Sequence, residues 1–261
     1  MRSRFLGPTC LSQGITPVCG PCARGDYALC ANQSAKAGPT GQGGGWGDGY
    51  VCHESEVWRV PDSLDDEQAA LVEPMACGVR AALRRLPGPG EKALVFGCGI
   101  IGLATLQAVR ALSPDAEVFA VARYPQQIAA ARRYGATIID GDLFEATAGH
   151  TGASLYEGHF GNRTLIGGFD VIYDCVANAN TLAQSLRMTR AGGGVVIVGV
   201  NLNRMKLDLS PVLLQEVDLI GALAHGTESW QGERVCTFDL TAQLLHDGKL
   251  STEGLVTHRF P

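Results

Sequence analysis

From residue 92 onward the chain alternates short blocks of consecutive apolar residues with longer stretches whose apolar positions recur every three or four residues. The blocks Ala93-Leu94-Val95-Phe96, Val118-Phe119-Ala120-Val121, Thr137-Ile138-Ile139 and Val171-Ile172-Tyr173, with residues 195–198 and 219–223, predict strands. The periodic stretches 101–112, 126–134, 181–189 and 237–246 predict helices between them. A strand that is apolar at every position is buried on both faces. The pattern therefore predicts an α/β fold, a doubly wound parallel sheet with helices on each side. Residues 142–168 are polar with weak helical periodicity and are expected to form an elaborated loop.

The residues before 87 read differently. Six glycines surround Trp46 between positions 41 and 49, which predicts a loop, and residues 49–60 carry a strand-like run. Pro61-Asp62-Ser63-Leu64-Asp65-Asp66 opens a helix, with Ser63 and Asp66 at capping-box spacing. Apolar positions continue at helical spacing from Ala69 to Leu86, interrupted by Glu73-Pro74. Proline cannot donate within a helix interior, so a break is expected there, with Glu73 heading a second helix. Pro87-Gly88-Pro89-Gly90 ends that helix and forms a boundary.

Charge and composition exclude several classes. With 21 basic and 26 acidic residues in 261, the net charge of -5 leaves no basic footprint, so nucleic acid is not an expected partner. No apolar run approaches the roughly 20 residues of a membrane helix. Residues 1–11 lack a secretory h-region, and a cytoplasmic location is expected.

Phe96 ends a strand and Gly97-Cys98-Gly99-Ile100-Ile101-Gly102 opens a helix, a G-x-G-x-x-G in the setting that makes a dinucleotide site. Gly97 permits the tight turn, Gly99 lets backbone approach a pyrophosphate, and Gly102 allows close packing of helix on strand. Gly97, Gly99, Ile100, Ile101 and Gly102 are thus candidate cofactor-binding residues of a Rossmann unit. An acid is expected about 20 residues on, at the end of the second strand, to bind a ribose 2'-hydroxyl. Here Ala122, Arg123 and Tyr124 stand instead. A guanidinium suits a 2'-phosphate, which favours NADP over NAD.

Four of the nine cysteines fall in the first thirty residues. Cys19-Gly-Pro-Cys22 is a C-x-x-C, Cys30 lies eight residues later and Cys10 nine before Cys19. Four thiolates in a Gly- and Pro-rich lobe suit a closed tetrahedral zinc site. A redox C-x-x-C is the competing reading, but it would follow a strand, and none is predicted before Cys19. Cys98, in the glycine turn, and Cys77 and Cys236, on apolar helical faces, are read as packed small residues. Cys52-His53 are neighbours on a predicted strand and face opposite ways, so they do not share an ion. His150, His159 and His225 have no partner at ligand spacing.

A four-cysteine lobe, then Glu73-Pro74 at a helix-rich joint, then Gly97-x-Gly99-x-x-Gly102 resemble, in this order, the zinc-containing medium-chain dehydrogenase/reductase family, to which alcohol, sorbitol, threonine and glucose dehydrogenases belong. The runs 169–176 and 191–200 also look like that family's fourth and fifth Rossmann strands. The resemblance implies a partial GroES-like β-rich catalytic domain with a zinc lobe (residues 1–86), a Rossmann NAD(P)-binding domain (87–250) and a segment starting the return to the catalytic domain (251–261). It implies zinc and NADP or NAD as cofactors, an alcohol, polyol or carbonyl substrate, and a homo-oligomer, dimer or tetramer. Cys175, Val176, Gly199 and Val200 would lie along the nicotinamide, and Glu73 would be a catalytic-zinc ligand or lie beside that zinc.

The chain departs from the family pattern twice. The family's structural cysteines sit at C-x2-C-x2-C-x7-C; Cys19, Cys22 and Cys30 match the last three, but Thr16 occupies the first place. Thr16 is a poor zinc ligand, so Cys10 is expected to substitute, with residues 11–18 as an inserted loop. The Cys and His that hold the family's catalytic zinc have no counterpart, so the sequence reads as a fragment of such an enzyme. A zinc-independent quinone or enone reductase and a non-catalytic dinucleotide-binding protein are the alternatives.

Overall fold

The computed structural model describes residues 9–32, 53–157 and 162–259. A short helix α1 (Gly20–Ala23) lies in the cysteine lobe, and α2 (Asp66–Arg84) leads into the sheet domain. There follow β1 (Lys92–Phe96), α3 (Ile100–Leu112), β2 (Glu117–Val121), α4 (Pro125–Arg133), β3 (Thr137–Ile138), α5 (Leu143–Thr151), β4 (Ser154–Glu157) and β5 (Arg163–Ile166). Then come β6 (Phe169–Asp174), α6 (Ala179–Met188), β7 (Thr189–Ile197), α7 (Ser210–Leu214), β8 (Asp218–Gly221), β9 (Thr227–Trp230), β10 (Glu233–Cys236) and α8 (Thr237–His246).

Six strands form one parallel sheet in the order β3-β2-β1-β6-β7-β8. This is the doubly wound order with its reversal beside β1, as the apolar blocks predict. Successive side chains alternate between two buried layers. Ala93, Val95, Val171, Tyr173 and Val196 join α2, α3 and α8 on one face. Leu94, Phe96, Phe119, Ile172 and Val195 join α5 and α6 on the other. Gly78 brings α2 hard against α3: a Cβ there would fall 2.5 Å from the carbonyl carbon of Ala104.

The structure corrects five local expectations. First, α2 is one helix through Pro74, and its capping box is Asp65 with Gln68 rather than Ser63 with Asp66. Proline removes one donor, to Ala70, and Ala70 lies at an exposed position where water can replace it. Second, residues 142–168 hold α5, capped by Asp142 accepting from Phe144 N and Glu145 N, and the antiparallel hairpin β4–β5. Among the residues of α5 only Thr147 is buried, which explains the weak periodicity. Third, within the strand-like run 49–60, residues 54–56 form a 3-10 turn, with His53 accepting from Ser55 N at 3.2 Å. Cys52, the glycine run 41–49 and His159 lie outside the described residues. Fourth, a second hairpin, β9–β10, precedes α8, and Cys236 closes it rather than lying on a helix face. Fifth, the return segment from residue 255, expected as a strand, forms a turn and irregular chain through residue 259 and pairs with no described strand.

Candidate functional site

The strand register lines up the C-terminal edge of the sheet. Phe96 is level with Val121 on one side and Asp174 on the other, Asp174 with Ile197, and Ile197 with Gly221. The next residues continue the ladder: Gly97 N donates to Val121 O and Cys175 N to Phe96 O, both at 2.9 Å. Residues 97, 122, 175, 198 and 222 therefore form one rim. In open parallel sheets this rim, at the point where strand order reverses, is where ligands bind.

The three glycines divide their work as the motif demands. Gly97 has φ +93°, left-handed backbone, and a Cβ on it would strike Val176 Cγ2. A Cβ on Gly102 would fall 1.8 Å from Gly97 O, so the first turn of α3 needs a bare backbone to close on β1. A Cβ on Gly99 would meet nothing within 4 Å. The backbone at Gly99 is thus open to approach. Gly99 also caps α3 without a side-chain bond, leaving the first N–H groups of a 13-residue helix directed at that space.

Arg123 and Tyr124 are exposed just past β2, with the Arg123 guanidinium 5.5 Å from the Tyr124 ring centroid. No Asp or Glu stands between Glu117, at the start of β2, and Asp140. On the other side of the turn, Val176 and Gly199 touch: a Cβ at Gly199 would fall 2.6 Å from the carbonyl carbon of Val176. Val200 is exposed beyond them, and the Cys175 thiol lies 3.9 Å from Thr105 Oγ1, its pKa pushed up by burial. Burial likewise pushes the Cys98 thiol up to about 12, as befits a packed residue.

One organiser of this rim escaped the sequence reading. Asp174 is fully buried; its Oδ1 accepts from Val176 N at 3.0 Å and Ala177 N at 2.7 Å. Its carbonyl accepts from Val198 N at 2.9 Å and Gly199 N at 3.0 Å. It thereby ties the ends of β6 and β7 together and holds Ala177 at φ +54°. Burial raises its carboxyl pKa above the ordinary aspartate range. An acid ending an otherwise apolar strand was the available signal.

The cysteine lobe is a second centre. The sulfurs of Cys10, Cys19, Cys22 and Cys30 all lie within 4.8 Å of one another, with Cys10 to Cys30 at 3.7 Å and Cys19 to Cys30 at 4.0 Å. A tetrahedral zinc with Zn–S of about 2.3 Å requires sulfurs about 3.8 Å apart, so the set fits that ion. Residues 11–18 form turns that carry Cys10 into the place where the spacing puts Thr16. Donors surround the sulfurs: Asn32 Nδ2 and Cys19 N reach Cys10 Sγ at 3.2 and 3.4 Å. Backbone donors from Cys22 and Ala31 hold the Cys19 thiol down at about 6, whereas burial pushes Cys22 up to about 12. The β9–β10 hairpin fastens the lobe to the sheet domain, through Thr227 Oγ1 to Gly25 O at 3.2 Å and Arg234 to Asp26 at 3.1 Å.

Glu73 is exposed in the second turn of α2, too far along to cap the helix, and its Oε1 accepts from Cys77 Sγ at 3.5 Å. Among the described residues no second cluster of His, Cys or carboxylate ligands gathers around it. His150 packs its ring on Phe119, 5.2 Å between centroids, and His225 is buried edge-on to Phe238 at 4.9 Å.

A glycine turn at the switch point of a 3-2-1-4-5-6 sheet, joined to a four-sulfur lobe, defines a Rossmann-type nucleotide-cofactor domain with an appended metal-binding lobe. The family model described as zinc-binding dehydrogenase matches residues 101–235, just over half of the chain, and the chain belongs to that family. It is 30% identical over 243 residues to L-idonate 5-dehydrogenase of Vitis vinifera, an alignment covering 93% of this chain and 62% of the relative. The solved 2R,3R-butanediol dehydrogenase from Bacillus subtilis is 28% identical and superposes with a TM-score of 0.63, over 79% of this chain and 54% of that one. Acetophenone reductase from Geotrichum candidum, solved with NAD, shares the fold at 19% identity, with a TM-score of 0.71 over 95% of this chain and 63% of that one. The chain thus spans under two thirds of the length of these proteins. Among the described residues no helix is long and apolar enough to cross a membrane.

Proposed function

We propose that this chain is the cofactor-binding part, with a structural zinc lobe, of a dehydrogenase that moves a hydride between an alcohol or polyol and NADP or NAD. The observation that carries the reading is the open space at Gly99, at the uncapped N-terminus of α3 and the switch point of the sheet. The bound nicotinamide supplies the hydride acceptor, and a catalytic zinc supplies the Lewis acid that polarises the substrate oxygen. The chain's residues bind and orient. Gly97, Gly99, Ile100, Ile101 and Gly102 hold the pyrophosphate, Arg123 and Tyr124 the adenosine ribose, and Cys175, Val176, Gly199 and Val200 the nicotinamide half. Cys10, Cys19, Cys22 and Cys30 close a zinc site with no open position, so that ion stabilises rather than reacts. Glu73 is the one catalytic-zinc ligand we assign to this chain.

The absence of a carboxylate after β2, with Arg123 in its place, supports NADP. The polyol dehydrogenases among the relatives support a hydroxylated substrate, and residues 1–86, 87–250 and 251–261 remain our division into domains. The open edge of β8, with Leu202, Leu213 and Leu214 exposed nearby in sequence, supports a homo-oligomer. Fluorescence titration with NADPH and NADH tests the cofactor reading. Tighter NADPH binding, weakened in Arg123→Ala, is expected; an NADH preference retained in Arg123→Ala would overturn the NADP assignment, and binding of neither would overturn the dehydrogenase reading.

A further inference from the structure

Arg80 and Glu228 form a buried ion pair that neither the glycine turn nor the cysteine lobe uses. Arg80 is 4% exposed on α2, and its Nε donates to Glu228 Oε1 at 2.9 Å. Its Nη1 donates to Leu223 O at 2.5 Å and His225 O at 3.1 Å. One turn along, Arg84 Nε donates to Gly221 O at 3.2 Å, and its Nη1 lies 3.7 Å from Glu228 Oε2. Gly226 leaves room for this arrangement, since a Cβ there would come within 3.0 Å of the Arg80 guanidinium.

The two carbonyls that Arg80 grips flank Ala224, which stands at φ +53°. That left-handed conformation is unfavourable for a residue with a Cβ, and it persists only where the surroundings force it. The sheet does not force it: β8 ends at Gly221, and Ala222 N makes the last rim bond, to Ile197 O at 3.0 Å. The 223–225 turn then continues along the C-terminal rim, beside a cleft of ≈ 360 Å³ lined by Arg80, Arg84, Gly199, Val200, Ala222 and Leu223 among others. A dinucleotide whose pyrophosphate crosses at Gly99 and whose adenosine ribose lies toward β2 sends its other half over β6, β7 and toward this turn.

We infer that Arg80, paired with Glu228, is a positioning residue that holds the strained 223–225 turn against the nicotinamide end of the bound dinucleotide. The inference rests on the dinucleotide reading above. The role assigned to Arg80 is indirect: it fixes backbone groups at residues 222–224 through its bonds to Leu223 O and His225 O. Lysine cannot replace it, because a single ammonium lacks the planar fork that reaches one carboxylate and two carbonyls together.

The test compares NADPH with 2'-phospho-ADP-ribose, the same molecule without nicotinamide, by fluorescence titration and competition on the full chain. Where NADH binds more tightly, NADH and ADP-ribose replace them. Arg80→Met and Arg80→Lys are expected to weaken NADPH about tenfold while leaving 2'-phospho-ADP-ribose within twofold. Adding Ala224→Gly to Arg80→Met, which frees the backbone to take φ +53° unaided, is expected to recover most of the loss. Glu228→Gln, which keeps the shape of the pair, is expected to cost NADPH about threefold and keeps the test open if the Arg80 variants misfold. Equal losses for both ligands, or none, or no recovery with glycine, would overturn the positioning role alone. A parent chain that binds neither ligand would overturn the dinucleotide reading and this role with it.

Discussion

Gly99 and Gly102 are three residues apart in one motif, yet the structure predicts opposite consequences for the same substitution. In Gly102→Ala the new Cβ would lie 1.8 Å from Gly97 O and 2.9 Å from Gly97 C. Both are backbone atoms fixed between β1 and α3, so no side chain can swing aside, and the helix start must move by well over an ångström. Overpacking of this kind costs typically 1–3 kcal/mol, and the backbone contact puts Gly102→Ala near about 3 kcal/mol. For a chain of this size that is a fall of roughly 6–12 °C in Tm. In Gly99→Ala the Cβ meets nothing, so Tm is expected to hold within about 1 °C while the pyrophosphate loses its approach. Losing one charge-assisted hydrogen bond, about 1.5–3 kcal/mol, weakens NADPH roughly 10- to 100-fold. Scanning calorimetry and NADPH titration on both variants separate the effects. An unchanged Tm in Gly102→Ala would refute the steric argument, and undiminished NADPH binding in Gly99→Ala would refute the pyrophosphate site.

Four further outcomes follow from the geometry. Zinc measured by atomic absorption is expected near one per chain, lost in Cys10→Ala and Cys22→Ala but kept in Thr16→Ala; retention in Cys10→Ala would remove that residue from the site. Gly78→Ala would push a Cβ to 2.5 Å from Ala104 C and wedge α2 from α3, an expected loss of about 2–3 kcal/mol read by denaturant unfolding. Asp174 has a folded-state pKa above its unfolded value, so its extra proton affinity favours folding at low pH and is lost as pH rises through the folded value. The Tm difference between Asp174→Asn and the parent should therefore become more favourable to the variant from pH 4 to pH 7, and a flat difference would contradict the burial argument. Asp174→Ala instead leaves the buried Ala177 N–H and the partly buried Val176 N–H without their acceptor and is expected to lose about 1–3 kcal/mol at either pH.

The sequence by itself determined the parts of this protein that depend on neighbours along the chain. A strand buried on both faces must be apolar at every position, which is why β1, β2, β6 and β7 could be read directly and their parallel arrangement inferred. The glycine turn was equally legible, because tight turn, close approach and close packing all exclude a Cβ at fixed spacing. The C-x-x-C of the lobe announced itself, but only the fold brought Cys10 into the place where spacing put Thr16, since turns 11–18 carry it there. The hairpins β4–β5 and β9–β10 were not legible: their strands are short and bury few side chains, so no apolar alternation marks them. Pro74 looked like a break because propensity sees a lost donor, while the packing of α2 along α3 keeps one helix through it. Arg80 and Glu228 lie beyond any local reading for the same reason. A buried charge takes its meaning from the groups that surround it, and for Arg80 those are 143 to 148 residues away.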